Sequence, residues 1–296
     1  MWFTYAILTV LFWGSSEAIF KKSSEDKQDN TLKMLLYNGV MLAIFAFFYW
    51  LFLFAFQEKQ FDFISILKYF PVAMIYNISM WSYYKAMSIM KISIVSPIVN
   101  SSCLFTVLLC IFVLNQTITG LQAFAITIII LGIILLSLKK DEDSIDSKKH
   151  YKLNIFVIGL LCALGYFALD GIAAFLDDYI LDTAFADKEA ELLISFSIIY
   201  FVIGLISLLI MKIRNKKLTF EIDKYKLAGS VLETLGQYTY IYAYANGNAS
   251  VASPLIASYS IVTLILSRLW LKEKLKKYQY ACIIFILIGI VLLSLE

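Results

Sequence analysis

The sequence predicts an all-α integral membrane protein of ten transmembrane helices, arranged as two inverted five-helix repeats. Three observations predict it. The 296 residues are 61% apolar and 16% charged, with a mean hydropathy of +0.79, where a soluble domain carries about a quarter charged residues. The apolar residues fall into ten runs long enough to cross a bilayer as helices, and none alternates as a membrane strand would. The second half of the chain also reads as a worn copy of the first.

The runs lie at about 2–21, 32–56, 65–89, 94–114, 119–138, 153–176, 191–211, 226–245, 251–271 and 277–295. The first lacks a basic leader and continues through Glu17, so it is expected to remain as a helix rather than be removed as a signal peptide. From the second helix to the fifth, an offset of 157 brings the halves into register without a gap. Ser93, Ser96, Pro97, Ser101 and Thr106 meet Ser250, Ser253, Pro254, Ser258 and Thr263, and "LGIILLSL" (131–138) meets "IGIVLLSL" (288–295). The first helix reads best at an offset of 153, which sets Trp13 on Tyr166 and Glu17 on Asp170. This divides the chain into a first repeat, 1–138, a polar loop, 139–152, and a second repeat, 153–296. Five helices is an odd number, so the copies are expected upside down relative to each other, a recurrent plan of secondary transporters.

Several functions are excluded by what is missing. Cys103, Cys110, Cys162 and Cys282 all lie in apolar runs, which implies no disulfide framework. The single histidine, His150, lies in the polar loop. No metal site or cofactor is therefore expected, and neither a nucleophile elbow nor a phosphate-binding glycine loop suggests an enzyme. The formal charge of +3 comes from loop lysines that face lipid headgroups rather than nucleic acid. Basic residues gather in the loop after the first helix (Lys21, Lys22, Lys27, Lys33), in 139–152, in 212–226 and in 268–277, whereas "NQT" (115–117) and "NGN" (246–248) have none and 177–191 is acidic. By the positive-inside rule both termini are outside. Abundant Lys and Ile with scarce Arg suggest an AT-rich genome and a bacterial plasma membrane.

The stretch "FWGSSEAIFKK" (12–22) and the Ser-Pro starts of the fourth and ninth helices, set in ten helices of two halves, resemble the EamA-type transporters of the drug/metabolite transporter superfamily. The resemblance implies transport of a metabolite, in a superfamily that spans amino-acid exporters and organic-cation carriers. It also implies cytoplasmic termini, against the lysine count. An acid followed by lysine and serine in the first helix is similar to the small multidrug transporters, and that similarity implies a proton-exchanging role for Glu17.

Ionisable residues deep in lipid are costly and usually face a cavity or a partner. Glu233 lies seven residues past Lys226, roughly 10 Å inward at helical rise, and Asp170 lies seven before Asp177. Carboxyls withdrawn from water favour the protonated form, so Glu233 and Asp170 are the expected proton carriers. An inter-helix hydrogen bond is the structural alternative for both, and an ion pair with Lys21 is the alternative for Glu17. Gln237, Tyr240 and Tyr244 share the Glu233 face of the eighth helix. Asn77, Trp81, Tyr84 and Ser88 share a face of the third, Trp13 and Glu17 one of the first, and Tyr37 and Asn38 add candidates from the second. Carboxylates among aromatic walls suit an ammonium group, although Tyr and Trp also serve as interfacial belts and packing. Lys85 and Arg268 are expected to snorkel, with Lys85 as a substrate-carboxylate ligand the alternative. Pro97 and Pro254 read as first-turn prolines after a Ser N-cap and as candidate hinges.

The expected function is secondary transport of an amine-bearing solute, an organic cation or an amino acid, by alternating access, with a proton exchanged on Glu233 and Asp170. The expected partners are this solute, protons and the lipid bilayer, and two fused halves make a monomer sufficient. The nearest rival is a metabolite exporter without proton exchange. The rival of another class is a non-transporting membrane protein, such as a lipid flippase accessory or a sensor.

Overall fold

The computed structural model describes residues 1–23, 30–58, 60–89, 95, 98–137, 153–214, 222–270 and 277–295. Among these the chain is helical, with no strand. Its helices are α1 (Trp2–Ser23), α2 (Asn30–Gln57), α3 (Ile64–Ile89), α4 (Ser102–Val113), α5 (Gly120–Ser137), α6 (Leu153–Leu181), α7 (Glu189–Arg214), α8 (Lys224–Ala245), α9 (Ala249–Ala257), α10 (Tyr259–Trp270) and α11 (Lys277–Ser294). Six stretches are long and apolar enough to cross a membrane: Trp2–Phe20, Thr31–Gln57, Phe156–Leu181, Glu189–Arg214, Ala249–Trp270 and Lys277–Ser294. Two shorter apolar helices cover Ser102–Val113 and Gly120–Leu135. The remaining long helices, α3 and α8, are too polar to qualify, and these two carry much of the site described below. Ten spans is thus a finer expectation than these six.

Each long helix lies along one main partner: α1 along α8, α2 along α7, α3 along α6, and α5 along α11. Lesser contacts join α1 to α10, α6 to α4, α3 to α7 and α2 to α8. This pattern is unchanged when α1 is exchanged with α6, α2 with α7, α3 with α8, α4 with α10 and α5 with α11. The phenylalanines and leucines of α2 (Phe47, Phe48, Leu51, Phe52, Phe54) and the isoleucines and valine of α11 (Ile284, Ile288, Val291) remain outside on the surface. Such an apolar exterior is what a lipid-facing bundle presents.

Close crossings use glycine, and they repeat. A Cβ on Gly132 would fall 2.5 Å from Ile286 Cγ1, and one on Gly289 would fall 2.6 Å from Ile129 Cγ1. Each pair is the other shifted by 157, so α5 and α11 meet through like surfaces. The same offset holds for the first helix. Thr263 Oγ1 donates to the Gly14 carbonyl at 3.1 Å and Thr106 Oγ1 to the Gly171 carbonyl at 3.4 Å, pairing Gly14 with Gly171. This corrects the offset of 153 expected for that helix. The two offsets differ by four residues, about one turn, so face patterning alone does not separate them.

The ninth expected helix is broken. Ser258 N–H bonds to Leu255 O (3.1 Å) and Ile261 N–H to Ser258 O (2.9 Å), while Ser101 N–H bonds to Ile98 O (3.2 Å) and Leu104 N–H to Ser101 O (2.9 Å). Both chains of bonds are tight i→i−3 turns, and they are again 157 apart. Pro254 lies buried within α9, whose N-cap is Asn248. The expected Ser253 N-cap with a first-turn proline is therefore corrected. Pro254 lacks an N–H, which denies the Ser250 carbonyl its usual helical donor, four residues before the break. Pro97 and Ser96 lie outside the described residues.

Helix α6 runs five residues beyond its expected end. Asp177 and Asp178, read from sequence as the start of an exposed acidic loop, are instead inside the helix and 2% exposed each.

Candidate functional site

The crossing of α1 and α8 is zipped by polar groups. Trp13 Nε1 donates to the Glu233 carbonyl (3.3 Å), Ser16 Oγ to the Gly229 carbonyl (3.0 Å), and Thr9 and Thr239 share a hydroxyl bond (2.8 Å). Residue numbers rise along α1 as they fall along α8, so the helices are antiparallel. This contact carries the Glu233 side chain beside Ser16 and within electrostatic range of Glu17. Across the site, Ser102 Oγ donates to Asp170 Oδ2 at 2.7 Å, and Tyr166, one turn earlier on α6, lies within electrostatic range of the same carboxylate. Glu17 receives Tyr83 Oη at 3.2 Å and Thr263 Oγ1 at 2.8 Å.

Glu17, Asp170 and Glu233 are each half-buried, and one residue relates them. Tyr259, at the start of α10, lies within electrostatic range of all three. Tyr76 lies within range of Glu233 and Asp170. The Trp13 ring rests 5.3 Å from Tyr240 and meets Tyr259 edge-on at 6.2 Å, while Tyr83 lies 5.3 Å from both Tyr84 and Tyr166. Three acids and a wall of tyrosines thus come together where α1, α3, α6, α8 and α10 meet.

Of the expected site residues, Glu233, Asp170, Glu17, Trp13 and Tyr240 meet here. Tyr84 lies within range of Glu233, and Asn38 joins through its Nδ2 bond to Tyr84 Oη at 3.2 Å. Gln237 is buried one turn along α8 from Glu233, and Tyr244 packs 4.4 Å beyond Tyr240. Others are placed elsewhere. Trp81 is 44% exposed on the face of α3 that also presents Phe70 and Ile78, so it points outward and is corrected from a wall of the site to a lipid-facing residue. Tyr37 accepts the Asp223 N–H (2.8 Å) at the N-cap of α8. Asn77 is buried and donates to the Ala73 carbonyl of its own helix (2.8 Å). Lys85 lies near Cys162, and Arg268 sits over the Tyr280 ring at 5.2 Å. The Ser88 side chain lies outside the described residues.

Sequence reasoning missed Tyr76, Tyr83, Tyr166, Ser102, Thr263 and Tyr259. The usable signal was the offset of 157 carried through the first helix. It pairs Trp13 with Asp170, Glu233 with Tyr76, and Tyr259 with Ser102, six residues that all touch the site.

A second, sealed group lies about two turns further along α6. Asp177 accepts from Tyr69 Oη (2.6 Å) and Tyr240 Oη (3.0 Å). Asp178 accepts the Ala249 N–H (3.0 Å) at the start of α9 and a bond from Gln116 Nε2, whose Oε1 accepts the Ser250 N–H (3.3 Å). The first N–H groups of a helix need such acceptors, so Asp178 ties the end of α6 to α9 and to the loop before α5.

A helical membrane protein holding carboxylates and aromatic rings between crossed helices has the form of a membrane transporter. The chain belongs to the EamA-like transporter family, whose model matches residues 1–138 and 187–295, and so to the drug/metabolite transporter superfamily. It is similar to an uncharacterized protein of Methanocaldococcus jannaschii, 35% identical over 98 residues. The match covers 32% of this chain and 72% of that protein, which is thus under half as long. A crystal structure at 12% identity superposes with a TM-score of 0.72 over 99% of this chain and 96% of its own, a likeness of fold.

Proposed function

We propose that the chain is a secondary transporter that carries a small amine-bearing solute by alternating access between two inverted five-helix halves. The observation that carries this reading is the convergence of Glu17, Asp170 and Glu233 around Tyr259, with the tilted ring pair of Trp13 and Tyr240 beside them. Carboxylates among aromatic faces attract ammonium through charge and ring quadrupole together. The exchangeable packing of helices, the like-to-like meeting of α5 with α11, and a family match over 1–138 and again over 187–295 support two equivalent halves. Two equivalent halves can trade conformations, opening the acids first to one side and then to the other. Glu233 and Asp170 exchange protons for the solute in this mechanism, and the lysine-rich loops face the cytoplasm of the host cell.

Uptake of a labelled amine into proteoliposomes tests it. Uptake is expected to follow an imposed proton gradient and to disappear in Glu233→Gln. Uptake that persists unchanged in that variant removes Glu233 from the mechanism, and absence of any amine uptake rejects the solute class.

A further inference from the structure

We infer that Asn38, Tyr84 and Tyr200 form a subsite beside Glu233 for a neutral group that both donates and accepts a hydrogen bond, so the solute is an amine bearing a hydroxyl. The inference rests on the amine reading above and adds an uncharged point of recognition to it. Helices α2 and α7 close on each other through glycine. A Cβ on Gly39 would fall 2.8 Å from the Tyr200 carbonyl, and one on Gly204 would fall 3.2 Å from the Leu35 carbonyl. This crossing sets Asn38 beside Tyr200, and both are 2% exposed. Yet neither Asn38 Oδ1 nor Tyr200 Oη has a hydrogen-bond partner. Asn38 Nδ2 donates instead to Tyr84 Oη of α3 at 3.2 Å, which leaves the Tyr84 hydroxyl its own proton to give. Tyr84 and Tyr200 lie within electrostatic range of each other and of Glu233.

The chemistry of these atoms defines the group that completes them. Asn38 Oδ1 only accepts, so it calls for a donor; the Tyr84 hydroxyl has a proton to give, and the Tyr200 hydroxyl can give or accept. A hydroxyl on the solute answers all three. Buried polar atoms left unpaired are costly, and a solute that pairs them removes that cost. The cluster also has no counterpart in the other half. At the offset of 157, Asn38 stands on Ser195, whose hydroxyl turns back to the Glu191 carbonyl of its own helix (2.7 Å), and Tyr200 stands on Ala43. A subsite built into one half alone fixes how the solute lies, its ammonium toward the acids and its hydroxyl toward α2 and α7.

Isosteric pairs of different length test this, each exchanging a hydroxyl for a methyl: 3-amino-1-propanol with n-butylamine, 5-amino-1-pentanol with n-hexylamine, and tyramine with 4-methylphenethylamine. Binding to the purified full chain is read from calorimetry and ligand-dependent thermal shifts. A purely apolar wall favours the methyl member. In at least one pair the hydroxyl member is expected to bind roughly tenfold more tightly, since polar groups left unpaired reject an analogue that lacks their partner. No such preference in any pair overturns the inference and leaves an amine-binding transporter standing. No response to any of these amines overturns the amine reading and this inference together. In Tyr200→Phe and in Asn38→Leu the preference is expected to shrink to about twofold or less. The ratio is read within one protein, so lost stability does not disturb it, and an unchanged ratio in either variant overturns the assignment to this cluster. The ligand-free Tyr200→Phe chain supplies a readout of its own. Deleting a hydroxyl without a partner is expected to leave the unfolding midpoint unchanged or raised. A lowered midpoint means that the hydroxyl is engaged inside the protein, and overturns the inference.

Discussion

At one end of the row of acids, Glu17 of α1 receives Tyr83 of α3 and Thr263 of α10; at the other, in the sealed group, Asp177 of α6 receives Tyr240 of α8 and Tyr69 of α3. Tyr83 and Tyr240 are 157 apart, and each reaches a carboxylate on the helix that exchanges with the other under the same pairing. The parts are alike, yet the closure differs. Asp177, Tyr69 and Tyr240 are 2%, 1% and 5% exposed, while Glu17, Tyr83 and Thr263 are half-buried. Similar hydrogen bonds therefore belong to different environments: fully buried at the Asp177 end, half-buried at the Glu17 end. On the alternating-access reading, this conformation is sealed at Asp177 and looser at Glu17.

Removing the acid from each end breaks or upholds that comparison most strongly. Asp177→Ala leaves two tyrosine hydroxyls buried without an acceptor, each worth about 1–3 kcal/mol, so a loss of about 2–5 kcal/mol is expected. Glu17→Ala unpairs partners that are only half-buried, and a loss of about 1 kcal/mol or less is expected there. Reversible unfolding in mixed micelles measures both. Equal losses mean that the two ends are equally dry and that burial does not distinguish them.

The next effect asks whether the ends differ in construction or only in conformation. Gly132→Ala and Gly289→Ala each drive a Cβ into an isoleucine of the facing helix, Ile286 and Ile129. Overpacking costs about 1–3 kcal/mol, reduced by the roughly 1 kcal/mol by which Ala exceeds Gly as a helix former. The two variants are expected to lose stability equally, within about 0.5 kcal/mol, in the same unfolding measurement. Equal costs assign the asymmetry between Glu17 and Asp177 to the conformational state. Unequal costs mean that α5 and α11 are not equivalent and that the halves differ as built.

Much of the helical layout was legible in sequence because apolar run length is a one-dimensional property, and so was the position of Glu233 and Asp170 inside helices, since charge in an apolar run is conspicuous. The partners of these acids were not. Ser102, Thr263 and Tyr259 are ordinary residues for a membrane helix, and only the crossing of α4 and α10 with α6 and α1 brings them to a carboxylate. Trp81 was misplaced because it lies four residues after Asn77 and so shares a face with it, while the α3–α6 packing turns inward the flank that holds Tyr76, Tyr83 and Tyr84. Matching acid to acid set Glu17 on Asp170, whereas the packed glycines set Trp13 there. Equivalent backbone contacts at the 157 offset therefore carry different side chains, Trp13 against Glu233 at one crossing and Asp170 near Tyr76 at the other.

The smallest effect isolates a single hydrogen bond at each end. Tyr240→Phe and Tyr83→Phe keep the ring and delete only the hydroxyl, so the Trp13–Tyr240 and Tyr83–Tyr166 ring contacts survive in both. Asp177 retains Tyr69 but loses one donor in a dry setting, where a hydrogen bond to a carboxylate is worth about 1.5–3 kcal/mol. That sum is softened because Tyr240 no longer needs to bury a hydroxyl, and a net loss of about 1 kcal/mol is expected. Glu17 retains Thr263 and is only half-buried, so Tyr83→Phe is expected to cost no more than about 0.5 kcal/mol. A double-mutant cycle of each phenylalanine with Asp177→Asn or Glu17→Gln removes the shared packing contribution and leaves the coupling alone. Greater coupling at Asp177 makes that end the tighter latch. Greater coupling at Glu17 reverses the assignment and makes the half-buried end the tighter latch.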